Sequence, residues 1–354
     1  MNEMLAERTL SVSPKPVRLG FLGVGWIGRH RMQAILDTGV AEAVAIADPS
    51  PEMAAEAKKL APDAILAESL DELITCDIDG VVIATPSAQH AAQSIKALEA
   101  CVAVFCQKPL GRTAGEAAAV VHRAREANRL LGVDLSYRHT ASMNRIREVI
   151  RTEELGKIFA ADLVFHNAYG PDKPWFYDKN LSGGGCLMDL GVHLIDMALW
   201  SLDFPTIASV SGHLMAGGRP IAVDDHQVED YGVASLTLDN GTVIRLACSW
   251  RLQAGCEAII EASFYGTGGG ISMHNVEGSF YDFMVQRFHG TSREVLIRPP
   301  DDWGGRAAAD WVRKLAAGEG YDPGCERLVN VAEVIDRIYA VSARPRTGSD
   351  HTAA

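Results

Sequence analysis

The sequence holds no apolar run near the roughly 18 residues needed to span a bilayer. Its opening, MNEMLAERTLSVSPKP, lacks a basic segment followed by a long apolar stretch, so no secretory signal is expected there. It reads as a flexible arm over residues 1–16. Cysteine is sparse, with seven in 354 residues, an odd number and no C-x-x-C pair. That disfavours a zinc site or a disulfide framework and fits reduced thiols in a cytoplasm. Positive charge is short as well: 33 Lys and Arg face 45 Asp and Glu, for a formal net charge of −12. Nucleic acid and membranes are therefore not expected partners, because phosphate surfaces need Lys and Arg. Internal repeats and low-complexity tracts are missing too.

What is present is a large apolar fraction, 47%, over a length that suits two domains. Val17 to Leu22 is a short apolar run ending at glycine, as in a buried parallel strand. Gly23-Val24-Gly25-Trp26-Ile27-Gly28 follows, a G-x-G-x-x-G match, and then a helical pattern from Arg29. A second strand, VAEAVAIADPS, ends at Asp48, twenty residues after Gly28. Strand, glycine loop, helix, strand and terminal acid together predict a dinucleotide site. Gly23 permits the turn, Gly25 lets backbone N–H groups approach a pyrophosphate, and Gly28 lets helix and strand pack closely. Trp26 and Ile27 lie in the same loop. Asp48 can accept both adenosine ribose hydroxyls and repels a 2′-phosphate. With no arginine in Pro49-Ser50-Pro51, NAD is expected over NADP.

Strand and helix patterns alternate to about residue 140, which predicts a doubly wound parallel sheet of the Rossmann type over 17–140. Ligands bind beyond the carboxyl ends of such strands. Three groups fall there: Thr85-Pro86 with His90, Gln107-Lys108-Pro109, and Tyr137-Arg138-His139. Lys108, held between an apolar strand and a proline, reads as a cation aimed at a substrate oxygen. Thr85, Pro86, His90, Gln107 and Lys108 are expected near the cofactor.

After residue 140 the alternation stops. An amphipathic helix and a strand with His166, Asn167 and Tyr169 at its exit precede an aromatic loop, DKPWFYDKNLSGGGC. Tyr137, Arg138, His166, Tyr169 and Trp175 are candidates for contact with a sugar-like substrate, with packing at a domain seam as the alternative. YGVASLTLDNGTVIRLACSW predicts a hairpin turning at Asn240-Gly241. The glycine run GTGGG lies between two strands and precedes no helix, so it reads as a turn and not a phosphate loop. DDHQVED, residues 224–230, has no second ligand pair at recognisable spacing and reads as a solvated loop, not a metal centre. Residues 141–345 are expected to form an α/β substrate-binding and oligomerisation domain with a largely antiparallel open sheet. Its uncovered face calls for a second subunit, as a homodimer or homotetramer. Residues 346–354 read as a loose tail.

The run MDLGVHLID sets Asp189 and His193 four residues apart in an apolar stretch, one above the other on a regular helix. An acid favoured by the helix dipole and a satisfied core histidine would account for them equally well.

Four stretches, GFLGVGWIGRHR, ATPSAQHAAQSIKALEA, CQKPLGRT and GGGCLMDLGVHLID, together resemble the glucose–fructose oxidoreductase, inositol dehydrogenase and MocA-type oxidoreductases. They span most of residues 17–200 in that family's order. The resemblance implies a catalytic lysine, acid and histidine at Lys108, Asp189 and His193. The family usually has Glu-Lys-Pro where this chain has Gln107-Lys108-Pro109. The implied activity is NAD-dependent oxidation of a secondary hydroxyl of a sugar, sugar acid or cyclitol. His193 would be the base, because histidine ionises nearest neutrality, while Lys108 would hold the hydroxyl and Asp189 a neighbouring one. A cofactor-retaining glycoside hydrolase and a non-catalytic dinucleotide sensor share the fold and stand as alternatives. A sensor has no use for a base.

Overall fold

The computed structural model describes residues 15–221 and 227–342. The expected arm up to residue 14, residues 224–226 of DDHQVED and the expected tail lie outside the described residues. Six strands, β1 (Val17–Leu22), β2 (Ala41–Ala47), β3 (Ile65–Leu66), β4 (Gly80–Ile83), β5 (Ala103–Cys106) and β6 (Leu131–Val133), form one parallel sheet in the order β3-β2-β1-β4-β5-β6. Central strands β4 and β5 are buried along their whole length, which is why they read as unbroken apolar runs. Helices α1 (Trp26–Leu36), α2 (Pro51–Lys58), α3 (Leu70–Thr75), α4 (Ser87–Glu99) and α5 (Ala114–Ala127) cross between them.

Local chemistry sets the helix starts. Ser50, Ser69 and Thr113 cap α2, α3 and α5, each accepting a backbone N–H three residues on. By contrast, α1 begins at Gly25 with no side-chain cap, so its first N–H groups remain for a ligand. The strand expected over GVDLSYRH is shorter: after Val133 the chain turns into a 3₁₀ segment, Ser136–His139.

From α6 (Ala141–Arg151) the chain builds a second sheet. Its strands are β7 (Ile158–Asn167), β8 (Ile207–Ala216), β9 (Arg219–Pro220), β10 (Tyr231–Leu238), β11 (Val243–Ser249), β12 (Ala258–Gly266), β13 (Gly269–Asn275), β14 (Phe283–His289) and β15 (Ser292–Ile297). Their order is β15-β14-β13-β12-β7-β11-β10-β8-β9. All neighbours are antiparallel except β7 and β11, so the sheet is largely antiparallel, as expected. The β10–β11 hairpin turns at Gly241, whose φ of +85° glycine adopts without strain. The aromatic loop before SGGGC is partly ordered into a 3₁₀ turn, Pro174–Tyr177, and a short helix, α7 (Lys179–Ser182). Buried on nearly every side, α8 (Val192–Ser201) crosses the inner face of this sheet, and its sequence is accordingly apolar all round.

Of the last two helices, α9 (Arg306–Ala316) returns to the first sheet, while the buried residues of α10 (Arg327–Ser342) join the core of the second. Trp311 of α9 packs on Phe105, and a Cβ at Gly132 would lie 2.7 Å from its indole. Residues 141–345 are therefore not one packing unit, because α9 belongs to the core built on β1 and β5. No helix among the described residues is long and apolar enough to cross a membrane.

Candidate active site

Three strand-end segments converge. At the end of β1, Gly23 has a φ of +82°, and a Cβ there would lie 2.6 Å from Ala84 O. A Cβ at Gly28 would lie 2.1 Å from Gly23 O, so both positions require glycine. Nothing lies within 4 Å of a Cβ at Gly25, which leaves space above the uncapped start of α1. This cradle fits a dinucleotide pyrophosphate. Trp26 is 58% exposed beside it. Asp48 accepts the Val24 N–H at 2.7 Å and the Ser50 N–H at 2.8 Å, which fixes its carboxylate at the end of β2. Pro49-Ser50-Pro51 brings no arginine, but Arg29 of α1 reaches back to within 3.2 Å of Met53 Sδ, beside the Asp48 loop.

The segment after β5 carries Lys108, joined to Pro109 by a cis peptide. Its ammonium donates to Asp189 Oδ1 at 2.5 Å and to the Asp189 carbonyl at 2.8 Å. The second carboxylate oxygen of Asp189 accepts the Trp250 indole N–H at 3.1 Å. Residues 81 positions apart in sequence thus meet in one half-buried ion pair.

Asp189 does not stand on a regular helix, as the i, i+4 argument assumed. Leu187–Gly191 forms a π-turn that runs straight into α8. Such wide turns re-aim side chains and recur at functional sites. His193 follows on the first turn of α8, buried against the edge of Tyr137, with ring centroids 5.2 Å apart. Burial pushes its pKa down to about 3, helped by the positive charge of Lys108 and opposed by Asp189. The expectation of a base ionising near neutrality is corrected accordingly: this imidazole is neutral across the ordinary pH range.

Several expected contacts are placed elsewhere. His90 is buried, with its ring nitrogens 2.7 Å from Thr85 O and 2.7 Å from Pro109 O. It ties the ends of β4 and β5 together. Thr85 bonds Gln93, and Pro86 starts α4. Gln107 donates to Asp134. Tyr137 joins the site as a wall of the histidine pocket. Arg138 is instead paired with Asp196 of α8 and stacked over Phe204. His166 points to the outer face of the second sheet, where it bonds Ser249 and stacks on Tyr231, because its neighbour Phe165 faces the core. Tyr169 is exposed and bonds Glu257. Trp175 stacks on Phe176 at 3.8 Å. Sequence reasoning missed Trp250, which had no motif around it.

It also missed Glu229. The segment expected to be a solvated loop buries this carboxylate, which accepts the N–H groups of Gly185 and Leu187. No group of three or more His, Cys, Asp or Glu suited to a metal ion occurs among the described residues.

Comparison with known proteins gives two family matches. The model described as an oxidoreductase family with an NAD-binding Rossmann fold covers residues 17–135. The model described as the GFO/IDH/MocA C-terminal domain covers residues 143–272. The dTDP-3,4-didehydro-2,6-dideoxy-alpha-D-glucose 3-reductase of Saccharopolyspora spinosa is 32% identical over 66% of this chain and 68% of its own length. The rhizopine catabolism protein MocA of Rhizobium meliloti is 29% identical over 89% of this chain and 97% of its own. A levoglucosan dehydrogenase solved with NADH and levoglucosan superposes with a TM-score of 0.78 at 23% identity, covering 93% of this chain and 97% of that one.

Proposed function

The chain belongs to the GFO/IDH/MocA oxidoreductase family, and from that premise we propose that it oxidises a secondary hydroxyl of a sugar, sugar acid or cyclitol to a ketone with NAD. The observation that carries this reading is the 2.5 Å contact between Lys108 Nζ and Asp189 Oδ1, directly before the buried His193. The coarse chemistry follows the relatives, which are named dehydrogenases and reductases of sugars and inositols.

A secondary alcohol loses a hydride from carbon and a proton from oxygen. The bound nicotinamide supplies the hydride acceptor, and that chemistry is the cofactor's. The chain's own residues handle the oxygen. His193, kept neutral by burial, has a lone pair for the hydroxyl proton, and negative charge developing on that oxygen raises its affinity for it. Lys108 donates a hydrogen bond to the same oxygen and stabilises the alkoxide-like transition state. Asp189, held by Lys108 and Trp250, orients the ammonium and accepts from a neighbouring substrate hydroxyl. Asp48 accepts the adenosine ribose hydroxyls, which favours NAD. A homodimer or homotetramer through the outer face of the second sheet, where Val243 and Tyr265 are exposed, completes the reading.

A panel of polyols, aldoses and sugar acids, each with NAD and followed by NADH absorbance, tests it. At least one member should release free NADH in proportion to product. Silence across the panel overturns the reading, and product without free NADH points to the cofactor-retaining hydrolase.

A further inference from the structure

We propose that Glu229 and Tyr339 are positioning residues that hold the π-turn, and through it Asp189, against Lys108. The inference rests on the functional reading of Asp189 given above.

The π-turn has no side-chain cap of its own and follows three glycines, Gly183 to Gly185. Three successive N–H groups at its entrance all turn to one residue. Gly185 donates to Glu229 Oε1 at 2.9 Å, Cys186 to the Glu229 carbonyl at 2.9 Å, and Leu187 to Oε1 at 3.0 Å. The Tyr339 hydroxyl, from α10, donates to the same Oε1 at 2.7 Å. Such groups would otherwise be orphaned at a buried helix start.

Shape supports the same assignment. A Cβ at Gly185 would lie 1.9 Å from the Glu229 carbonyl oxygen, and one at Gly184 would lie 1.8 Å from the Tyr339 hydroxyl. Gly184 and Gly185 are therefore the imprint of these two residues, while Gly183, at a φ of +86°, packs on Arg112. The Asp189 N–H bonds Gly185 O at 3.0 Å, so a shift at the entrance passes one turn along to Asp189 and to both of its Lys108 contacts. Burial also pushes the Glu229 carboxyl up from its ordinary range.

One geometric detail makes the proposal testable. All three side-chain bonds end on Oε1. A glutamine carbonyl can accept all three, whereas alanine accepts none. E229Q should therefore keep the site and E229A should lose it.

The direct readout is the Trp250 indole N–H, which bonds Asp189 and is assigned in 1H–15N spectra by W250F. That resonance should stay in place in E229Q, shift in E229A and shift less in Y339F. With whichever panel alcohol proves active, E229A should lower kcat by about 10- to 100-fold, the scale of a misplaced reacting group. E229Q should stay within a few-fold of the parent. If E229A does not fold, Y339F carries the test, with a shifted resonance expected. A folded E229A, or failing that a folded Y339F, with an unmoved Trp250 resonance overturns the proposal, as does an E229Q that is as impaired as E229A. Failure of the functional reading looks different: D189N would then turn over normally while the Trp250 resonance still tracked Glu229.

Discussion

The Gln107 amide donates to Asp134 Oδ2 at 2.5 Å, and the same oxygen accepts Arg31 Nε at 2.5 Å. Arg31 and Asp134 are both buried, and Ser136 adds a bond to the other carboxylate oxygen. Burial opposes the charge on Asp134, but Arg31, Ser136 and Gln107 hold its pKa below the ordinary carboxylate value. Gln107, at the position where the resembled family usually has glutamate, thus donates to a carboxylate 27 positions later in the chain, Asp134.

Q107E would set two carboxylates against each other in a buried site. We expect a loss of about 3 kcal/mol, the scale of an uncompensated buried charge, with partial recovery at lower pH as one carboxyl takes up a proton. Adding D134N restores an amide–carboxylate pair and should recover most of the loss. Thermal melts of both single variants and the double variant read this coupling. Simple additivity would refute the compensation.

Both sheets and the cofactor loop were legible in the sequence because they rest on local patterns: apolar runs, a glycine spacing and a hairpin turn; the family was legible through the resemblance of four stretches. The Lys108–Asp189–His193 set was legible only through resemblance, since no periodicity links residues 81 positions apart. What stayed hidden depends on long-range packing. Nothing around Glu229 in the sequence marks it as buried, because its partners, Gly185 and Tyr339, are 44 and 110 positions away. His166 was misplaced by a single strand position, which is enough to turn a side chain to the other face.

Lys108→Ala should lower turnover by about 10²- to 10³-fold, the scale of one lost charge-stabilising donor, and leave NAD affinity nearly unchanged. Lys108 is bonded to Asp189, not to the adenosine end of the cradle. Fluorescence titration with NAD beside steady-state rates decides it. A matching collapse of affinity would remove Lys108 from the reacting oxygen.

Asp48 and Arg29 should set the choice of cofactor between them. The parent should prefer NAD. D48N removes the charge that repels a 2′-phosphate, and Arg29 beside Met53 can then meet it. The NADP/NAD ratio of kcat/KM should rise by roughly tenfold, on the order of one charge-assisted hydrogen bond. Adding Arg29→Ala should cancel the gain. A parent that prefers NADP would contradict the role given to Asp48.

His193 makes two predictions with one cause. Its folded pKa of about 3 lies below the unfolded value near 6.5. The unfolded chain therefore binds the proton first as pH falls. The stability gained by burying a neutral imidazole is complete above about pH 6.5 and is lost progressively between there and pH 3, at no more than about 1.4 kcal/mol per pH unit. H193Q, neutral at every pH, should lack this contribution, so denaturation of parent and variant should diverge as pH drops through that window. In catalysis, neutral His193 is present throughout pH 5 to 8, so kcat/KM for oxidation should show no His193 ionisation in that range. H193Q should lower the whole curve by about 10²- to 10⁴-fold, as expected for a lost general base, without changing its shape there. A parent curve with an acid limb between pH 6 and 7 that H193Q abolishes would show that the imidazole titrates in the open site. Near-normal kcat/KM in a folded H193Q would show that the hydroxyl proton leaves by another group.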